Sequence, residues 1–596
     1  MRFVFVGTGG ARDLEAHFEP PQPTIGDLIS GLTASGLTHG GEPGLFVNGM
    51  FQAAAMDLMG AGLHNGALVS AGDAGAAIVP AASTFIPGPH LGVLTGMAAG
   101  RSFPLTTAGV YLVGRSADCH LRLPDPTVSR VHCELHVGDT GAVTVVNRSR
   151  ADGTRIAGEP ITQPAPVPPG RPIRLGAVVV QIDHANLTDR AATDRMASPG
   201  GPEGMAPTGT VNFNRPPRVV HFPPTTTLVP LEEPEAPLKA RFTWRRSARE
   251  FDRQVAALVA TINAARSAEM AARRRPMPTA PEVVRRACLP SAALWERRRF
   301  HSDFLHLCLG WWDAPWTPTL ALPSSIRPPA AAVRESVAGK QVLADVPVVL
   351  DLSASHVVGV VGPRPLALGV ARQLACQAAV LHGPADVRLC VLAPDSTDSA
   401  WDWIKWLPHV HDRSTGSERR LLAASDAAVS DLLGWLRAAA PAPAPDRPAD
   451  DRAVTLYVVD GDGLLSGRSA PARQLLNGAA GPAAGIVLAP AADRLPAVCS
   501  EIVTLIETGE AHLVHSRQGG AASLIRPAAL AVDLARSVAL SLAGLDDPEQ
   551  SPPGAAGPDK AGDRPGTYVV PFHFGATARA AEQAVRSGPG PSLGQP

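Results

Sequence analysis

The chain has almost no charge imbalance, no paired cysteines and no long apolar run, and each absence removes a class of function. With 53 Lys and Arg against 54 Asp and Glu, the formal charge is −1 over 596 residues. No global field therefore draws the chain to nucleic acid or to a membrane surface. The seven cysteines lie far apart, form no C-x-x-C pair and are odd in number. That argues against a zinc site or a disulfide framework and fits a reducing compartment. The N-terminus lacks the basic-then-apolar pattern of a signal peptide. No uninterrupted apolar stretch reaches the roughly eighteen residues that read as a spanning helix. The expected location is cytoplasmic, with a peripheral place at the inner face of the plasma membrane as the variant.

What is present is a modular chain. Its length allows roughly four domains, and its 57 glycines and 59 prolines point to long connecting stretches. Residues 1–80 read as one compact unit. Strands are expected at Arg2-Phe3-Val4-Phe5-Val6 and Asp13–Phe18, a helix capped by Thr24 with Asp27 at its third position, and a strand and tight turn at Leu45-Phe46-Val47-Asn48-Gly49. That order resembles the ubiquitin-like β-grasp fold, which implies an interaction module. Residues 90–185 read as all-β. Residues 186–240 form a Pro-rich linker, in which Val211 to Arg218 is a piece suited to dock on a neighbour and Thr225, Thr226 and Thr227 are candidate phosphorylation sites. Residues 241–310 read as a helical stalk, with Phe251, Val255, Leu258 and Ile262 on one face. Its arginines fit either a solvated stalk, which is preferred, or a nucleic-acid or anionic-lipid patch. Residues 340–546 alternate strands and helices as a doubly wound α/β sheet does. Residues 547–596 are expected to lack structure.

In the all-β unit three separated polar motifs fall at strand ends: Gly114-Arg115, Ser129-Arg130-Val131-His132 and Asp152-Gly153-Thr154. An arginine fork, a hydroxyl and nearby backbone N–H groups suit a dianionic phosphate. Motifs in this order resemble the forkhead-associated (FHA) domain, over roughly Leu91 to Asp183. The resemblance implies a β-sandwich that reads phosphothreonine peptides. Arg115 and Ser129 would hold the phosphate with help from Arg130, His132 would fix the loop beneath, and Asp152, Gly153 and Thr154 would complete the site. The family usually has Asn at the place of Asp152. An ionised Asp cannot donate and adds negative charge beside a phosphate, which lowers the affinity expected. A sandwich that only packs is the plain alternative.

In the α/β region, Gly359-Val360-Val361-Gly362-Pro363-Arg364-Pro365-Leu366 stands between a strand and a helix, where a phosphate loop would be. In the G-x-x-x-x-G-K-[ST] register, Arg364 replaces the second glycine, Pro365 the lysine and Leu366 the magnesium-binding hydroxyl. Pro365 supplies neither an ammonium nor an N–H. Asp460 ends an apolar strand, as a Walker B acid does, but Gly461 follows rather than a catalytic acid. Gly359, Gly362, Arg364, Pro365 and Asp460 are thus positions of a degenerate nucleotide site. No catalytic residue, metal ligand or cofactor is expected, with ATP and magnesium as the weaker alternative.

With Leu294-Trp295-Glu296-Arg297-Arg298, Asp303-Phe304-Leu305 and Trp406-Leu407-Pro408-His409-Val410, these parts resemble the FtsK/SpoIIIE-type ATPases of bacterial type VII secretion systems. The family's membrane helices are missing, and a single degenerate P-loop-like (RecA/FtsK-type) module is present. The resemblance implies a multidomain scaffold: a β-grasp-like unit, an FHA sandwich, a helical stalk and a pseudo-ATPase. It would bind a phosphothreonine-containing protein and a secretion ATPase or related subunit, and not nucleic acid as first choice. The alternative is an ATP-driven secretion ATPase or DNA translocase, active only with a partner module.

Overall fold

The computed structural model describes residues 1–7, 9–18, 22–72, 88–150, 153–185, 209–213, 215, 218, 231–232, 244–316, 320–321, 341–353, 356–393, 400–412, 419–439, 453–467, 470–478, 481–515, 522–550 and 567–572. Asp152, Thr225, Thr226, Thr227 and most of the Pro-rich stretch lie outside these residues.

The N-terminal unit is a mixed six-stranded sheet under one helix. The helix Ile25–Ala34 starts at a capping box: Thr24 Oγ1 accepts the N–H of Asp27, and the Asp27 carboxylate accepts the N–H of Thr24 at 2.8 Å. Its Ile25, Leu28, Ile29 and Leu32 pack on Phe3, Phe5, Leu14 and Val69 of the sheet. The sheet's outermost strand comes from the far end of the chain. Tyr568–Pro571 pairs antiparallel with Gly10–His17, Val569 joins this core, and Phe572 is buried. This corrects the expectation that everything after residue 546 lacks structure. Tyr568-Val569-Val570 is a β-branched and aromatic run among Pro and Gly, and it closes an otherwise open sheet edge.

The second unit is a sandwich of two sheets. One runs Leu121–Arg122, Gly109–Gly114, Cys133–Val137, Val143–Asn147, Ala165–Val167. The other runs Glu159–Pro160, Thr154–Ile156, Pro172–Leu175, Val178–Ala185, Gly88–Val93, Ser102–Pro104. Alternate residues of each strand point inward, so Val113, Leu135 and Val145 meet Leu91, Ile173, Val180 and Ile182 in one buried core.

The largest sheet is mixed. Five parallel strands occupy its centre: Val357–Val361, Val387–Leu392, Val454–Asp460, Ala483–Ala489 and Glu501–Leu505. Numbered in chain order, they lie side by side as fifth, first, fourth, third, second. Both faces are covered. Val358, Val360, Ile486 and Leu488 face one cluster with the helices Arg364–Leu381 and Val532–Ala543. Val357, Val459 and Val487 face another with the helices Asp426–Ala439 and Pro471–Leu476. Strands buried on both faces read as continuous apolar runs, and these do.

Antiparallel strands extend the sheet beyond Glu501–Leu505. Among them is His306–Pro315, which pairs with Val342–Asp351 and Ser523–Leu530. The region expected to be helical through residue 310 is therefore helical over Trp244–Arg274 and Ala280–Cys288 only, and the α/β sheet begins before residue 340. Leu307 to Trp311 is buried without a break, the continuous run of a strand covered on both faces. The long helix lays Leu258, Ile262 and Met270 on Trp316, Leu343 and Val346.

The units are joined by more than chain connectivity. Gly96–Ala99, within the sandwich segment, pairs in parallel with Ser523–Leu530 of the large sheet. Val211–Asn212 pairs with Leu545–Asp546, and Phe213 sits edge-on to buried Trp295 with ring centroids 5.5 Å apart. Arg215 follows, its side chain 1% exposed, on Asp386 at 2.6 Å, Asp547 at 3.3 Å and Glu549 at 2.7 Å. Among the described residues no helix is long and apolar enough to cross a membrane.

Candidate functional site

Arg115 leaves the strand Gly109–Gly114 and is held by its backbone. Its N–H donates to Ser129 O at 3.0 Å and its Nε to Val128 O at 3.1 Å. The side chain is exposed, and its two terminal nitrogens have no partner among the described residues. Gly114 is needed for this approach: a Cβ there would come within 2.3 Å of Arg130 O.

Ser129 Oγ lies 2.8 Å from Ser149 Oγ. Both residues are partly exposed, so the hydroxyl pair is open to solvent. The loops carrying them are pinned by His132, which is fully buried. The Ser129 N–H donates to Nδ1 at 3.2 Å, so the ring proton sits on Nε2, which donates to Gly153 O at 3.1 Å. One neutral imidazole thus fixes two loops. Gly153 takes φ +70°, a conformation suited to glycine.

Thr154 differs from the expectation that it meets the ligand. It is fully buried, and its Oγ1 donates to Asn147 Oδ1 at 3.0 Å. Asn147 also accepts from the Ser149 N–H at 3.1 Å and donates to Ser149 O at 3.2 Å. Thr154 therefore braces the serine loop from below, because strand alternation turns it inward. Asn147 and Ser149 were missed in the sequence; the signal available was the Asn-x-Ser spacing just ahead of Asp152-Gly153-Thr154. Arg130 and Arg150 are exposed. Arg148 is engaged by Glu134 through bonds of 2.9 and 3.1 Å, and these hold the Glu134 carboxyl below its ordinary range.

The degenerate nucleotide positions also come together, though not as a phosphate cradle. The strand ends at Val361 and the helix begins at Arg364, leaving Gly362 and Pro363 where a phosphate loop has a longer arc of N–H donors. Gly362 sits at φ +127°, and a Cβ there would strike Leu505 O at 2.6 Å. Arg364 reaches across to Asp460 in a bidentate pair of 2.8 and 2.9 Å. The indole of Trp401 donates to the same carboxylate at 2.8 Å. Asp460 is 3% exposed, so both its oxygens are committed within the chain. Pro365 lies in the first turn of the helix, where its missing N–H costs nothing. Gly359 packs under Leu495. The motifs Trp295, Arg297 and His409 are fully buried core residues. Trp295 donates to Ala379 O at 2.9 Å and His409 Nε2 lies 2.8 Å from His382 O.

Comparison with known proteins bears on the family of the sandwich unit. Residues 111–176 match the family model of the FHA domain. The ESX-4 secretion system protein EccC4 of Mycobacterium tuberculosis is 31% identical over 122 residues, covering 20% of this chain and 10% of that protein. The ESX secretion system protein EccC of Thermomonospora curvata is 30% identical over 155 residues, covering 24% and 12%. The ESX-3 secretion system protein EccC3 of M. tuberculosis is 31% identical over 191 residues, covering 30% and 14%. Among solved structures, the FHA domain of a Chlamydia trachomatis protein aligns at 21% identity over 16% of this chain and 98% of that one, with a TM-score of 0.16. An FhaA FHA domain, solved in complex with the intracellular domain of another protein, aligns at 29% identity over 16% and 98%, with a TM-score of 0.14. The chain carries an FHA domain and is related over part of its length to the EccC proteins of ESX, or type VII, secretion systems. The matched stretches span about a tenth to a seventh of those relatives.

Proposed function

We propose that this chain is a phosphothreonine-peptide-binding adaptor of a type VII secretion-like machinery, in which the α/β sheet is a scaffold and not a motor. The observation that carries the reading is the exposed Arg115 fork, unpartnered at its terminal nitrogens among the described residues, beside the Ser129–Ser149 hydroxyl pair. A phosphate there would take charge-assisted hydrogen bonds from the guanidinium and one from a hydroxyl. The His132 and Asn147 braces hold those donors in place before the ligand arrives, which lowers the ordering cost of binding. The relationship to EccC proteins supports a partner within a secretion assembly. The motor alternative is disfavoured because Asp460, the one Walker-like acid, is already bound by Arg364 and Trp401.

The test is isothermal titration of the full chain with a phosphothreonine peptide library, unphosphorylated controls and the Arg115→Ala variant. Binding that needs both the phosphate and Arg115 is the expected result. Charged-group hydrogen bonds of about 1.5–3 kcal/mol correspond to a loss of roughly ten- to a hundredfold in the variant. Equal binding of phosphorylated and plain peptides, or none at all, would sink the proposal.

A further inference from the structure

Away from the Arg115 loop, a cavity of about 620 Å³ opens where the sandwich meets the two stalk helices and the strand His306–Pro315. That volume lies in the range of small-molecule sites. Its wall carries five arginines, Arg171, Arg274, Arg275, Arg285 and Arg286, against two carboxylates, Asp183 and Glu282. Glu282 is spent on Arg285, at 2.8 and 2.9 Å, and on Arg286 at 2.9 Å. Asp183 receives the Gln181 amide at 2.7 Å.

The remaining cations have no carboxylate in direct contact among the described residues. Arg274 bonds only the backbone carbonyls of Ala344 and Asp345, at 2.8 and 3.0 Å, besides a long contact to Met270 Sδ. The side chains of Arg171 and Arg275 have no hydrogen-bond or ion-pair partner among the described residues. Burial pushes Arg274 down to about 10 against the opposing charge of buried Asp345, and the like charge of Arg171 adds to the fall. Arg171 and Arg275, which line the cavity with no carboxylate in contact among the described residues, make it a site for an anion.

A second group points into the same space. His90 lines the cavity and is 5% exposed. Its Nδ1 lies 2.8 Å from Gly88 O, which can only accept, so Nδ1 carries the proton. Nε2 is left buried and without a partner, and a buried acceptor in that state is costly unless something donates to it. The floor beside it is closely fitted: a Cβ on Gly92 would meet Pro281 at 2.9 Å.

We propose that this cavity binds a phosphorylated small molecule of nucleotide size. Its phosphate lies among Arg171, Arg274 and Arg275, and an N–H or O–H of its other end donates to His90 Nε2. Because the wall is drawn from the sandwich, both stalk helices and the large sheet, the ligand is a clamp between those parts and stabilises their docking.

The full chain is titrated calorimetrically with AMP, ADP, GMP, GDP, pyrophosphate, inorganic phosphate, adenosine and guanosine. At least one nucleotide binds with one-to-one stoichiometry, and the nucleosides do not. The Arg171→Ala/Arg275→Ala double variant, which loses no internal partner, weakens that nucleotide tenfold or more. His90→Phe weakens the nucleotide more than it weakens pyrophosphate. Arg115→Ala and Arg364→Ala leave binding unchanged, which separates this site from the FHA loop and from the degenerate phosphate loop. The proposal is overturned if no nucleotide binds, if nucleosides bind as tightly, if the double variant binds like the parent, or if Arg115→Ala alone abolishes binding.

Discussion

Breaking the Arg364–Asp460 pair tests whether the α/β module is closed by design of its own residues. The two partners differ sharply in exposure: the Arg364 side chain is 56% exposed and that of Asp460 3%. A fully exposed pair is worth about 0.2–1 kcal/mol, and removal of one partner of a buried pair costs about 3–5. A bidentate pair with one end in water belongs between, at a coupling of about 1–2 kcal/mol, or a five- to thirtyfold change in a local equilibrium. The readout is hydrogen exchange of the Leu366–Val370 amides, the first turns of the helix, because local opening there is separable from unfolding of the other units. Arg364→Ala, Asp460→Asn and the double variant form the cycle. In Arg364→Ala the carboxylate keeps the Trp401 indole as its hydrogen-bond donor and only the more distant charge of Arg372, so the single variant is less protected than the double one. Single effects that add to within about 0.5 kcal/mol would refute the coupling. ATP turnover stays at background in all three, since two residues between strand and helix cannot wrap a phosphate chain. Turnover switched on by Arg364→Ala would refute that claim about loop length.

Ser149→Ala should weaken phosphopeptide binding about fivefold, the loss of one hydrogen bond of about 1 kcal/mol, and titration against the parent chain measures it. Arg215→Ala leaves Asp386 and Asp547 buried without their cation, so unfolding in urea should lose about 3 kcal/mol, and limited proteolysis should cut near residues 209–218. Asp13 joins the N-terminal sheet to Lys405 at 2.9 Å and to Arg536 at 3.0 Å. Burial alone would raise its carboxyl, but the bond to Arg536 and the charges of Lys405 and Arg536 prevail and hold it below its ordinary value. A depressed carboxyl stabilises fully above its unfolded pKa of about 3.9, and that stabilisation is lost as pH falls through the folded value. Asp13→Asn should therefore flatten the acid limb of the stability curve below about pH 4, measured by thermal unfolding at stepped pH.

Much of the scaffold could be read from residues whose pattern is local. Thr24 and Asp27 announce their helix, and Val357–Val361, Val387–Leu392 and Val454–Asp460 are apolar runs that a parallel sheet demands. Arg115 and Ser129, proposed above to face a phosphate, were singled out because three separated polar motifs fall in order at strand ends. What escaped depended on partners distant in the chain. Thr154 reads as a polar ligand until strand alternation turns it inward on Asn147. Tyr568–Pro571 reads as tail until the open edge of Gly10–His17 gives its backbone somewhere to bond. His306–Pro315 follows a helical stretch closely enough to be absorbed into it. Arg364 and Asp460 were each singled out, yet nothing in their spacing says that one would fill the place opposite the other.

The same long-range pairings bear on how an adaptor would work here. The FHA loop is not hung on a flexible tether. Its sandwich contributes Arg174, which contacts Asp313 at 2.6 Å, while Arg526 of the large sheet contacts the same carboxylate at 3.0 Å. Asp345, fully buried, stands 3.7 Å from Arg174 and 3.6 Å from Arg526. Burial, with the like charge of Asp313, lifts its carboxyl above the usual range despite Arg174, Arg526 and Arg274, so the cluster gains little from that ion pairing and its geometry rests on packing. Gly96–Ala99 adds a backbone ladder to the same sheet. On the proposed adaptor reading, a partner captured by Arg115 would thereby be placed in a set orientation to the α/β sheet, which an orienting scaffold needs and a tethered phosphate reader does not. The Arg364–Asp460 closure fits the proposed scaffold: a module held closed by that pair would keep one shape, and a partner docked on it would meet one surface.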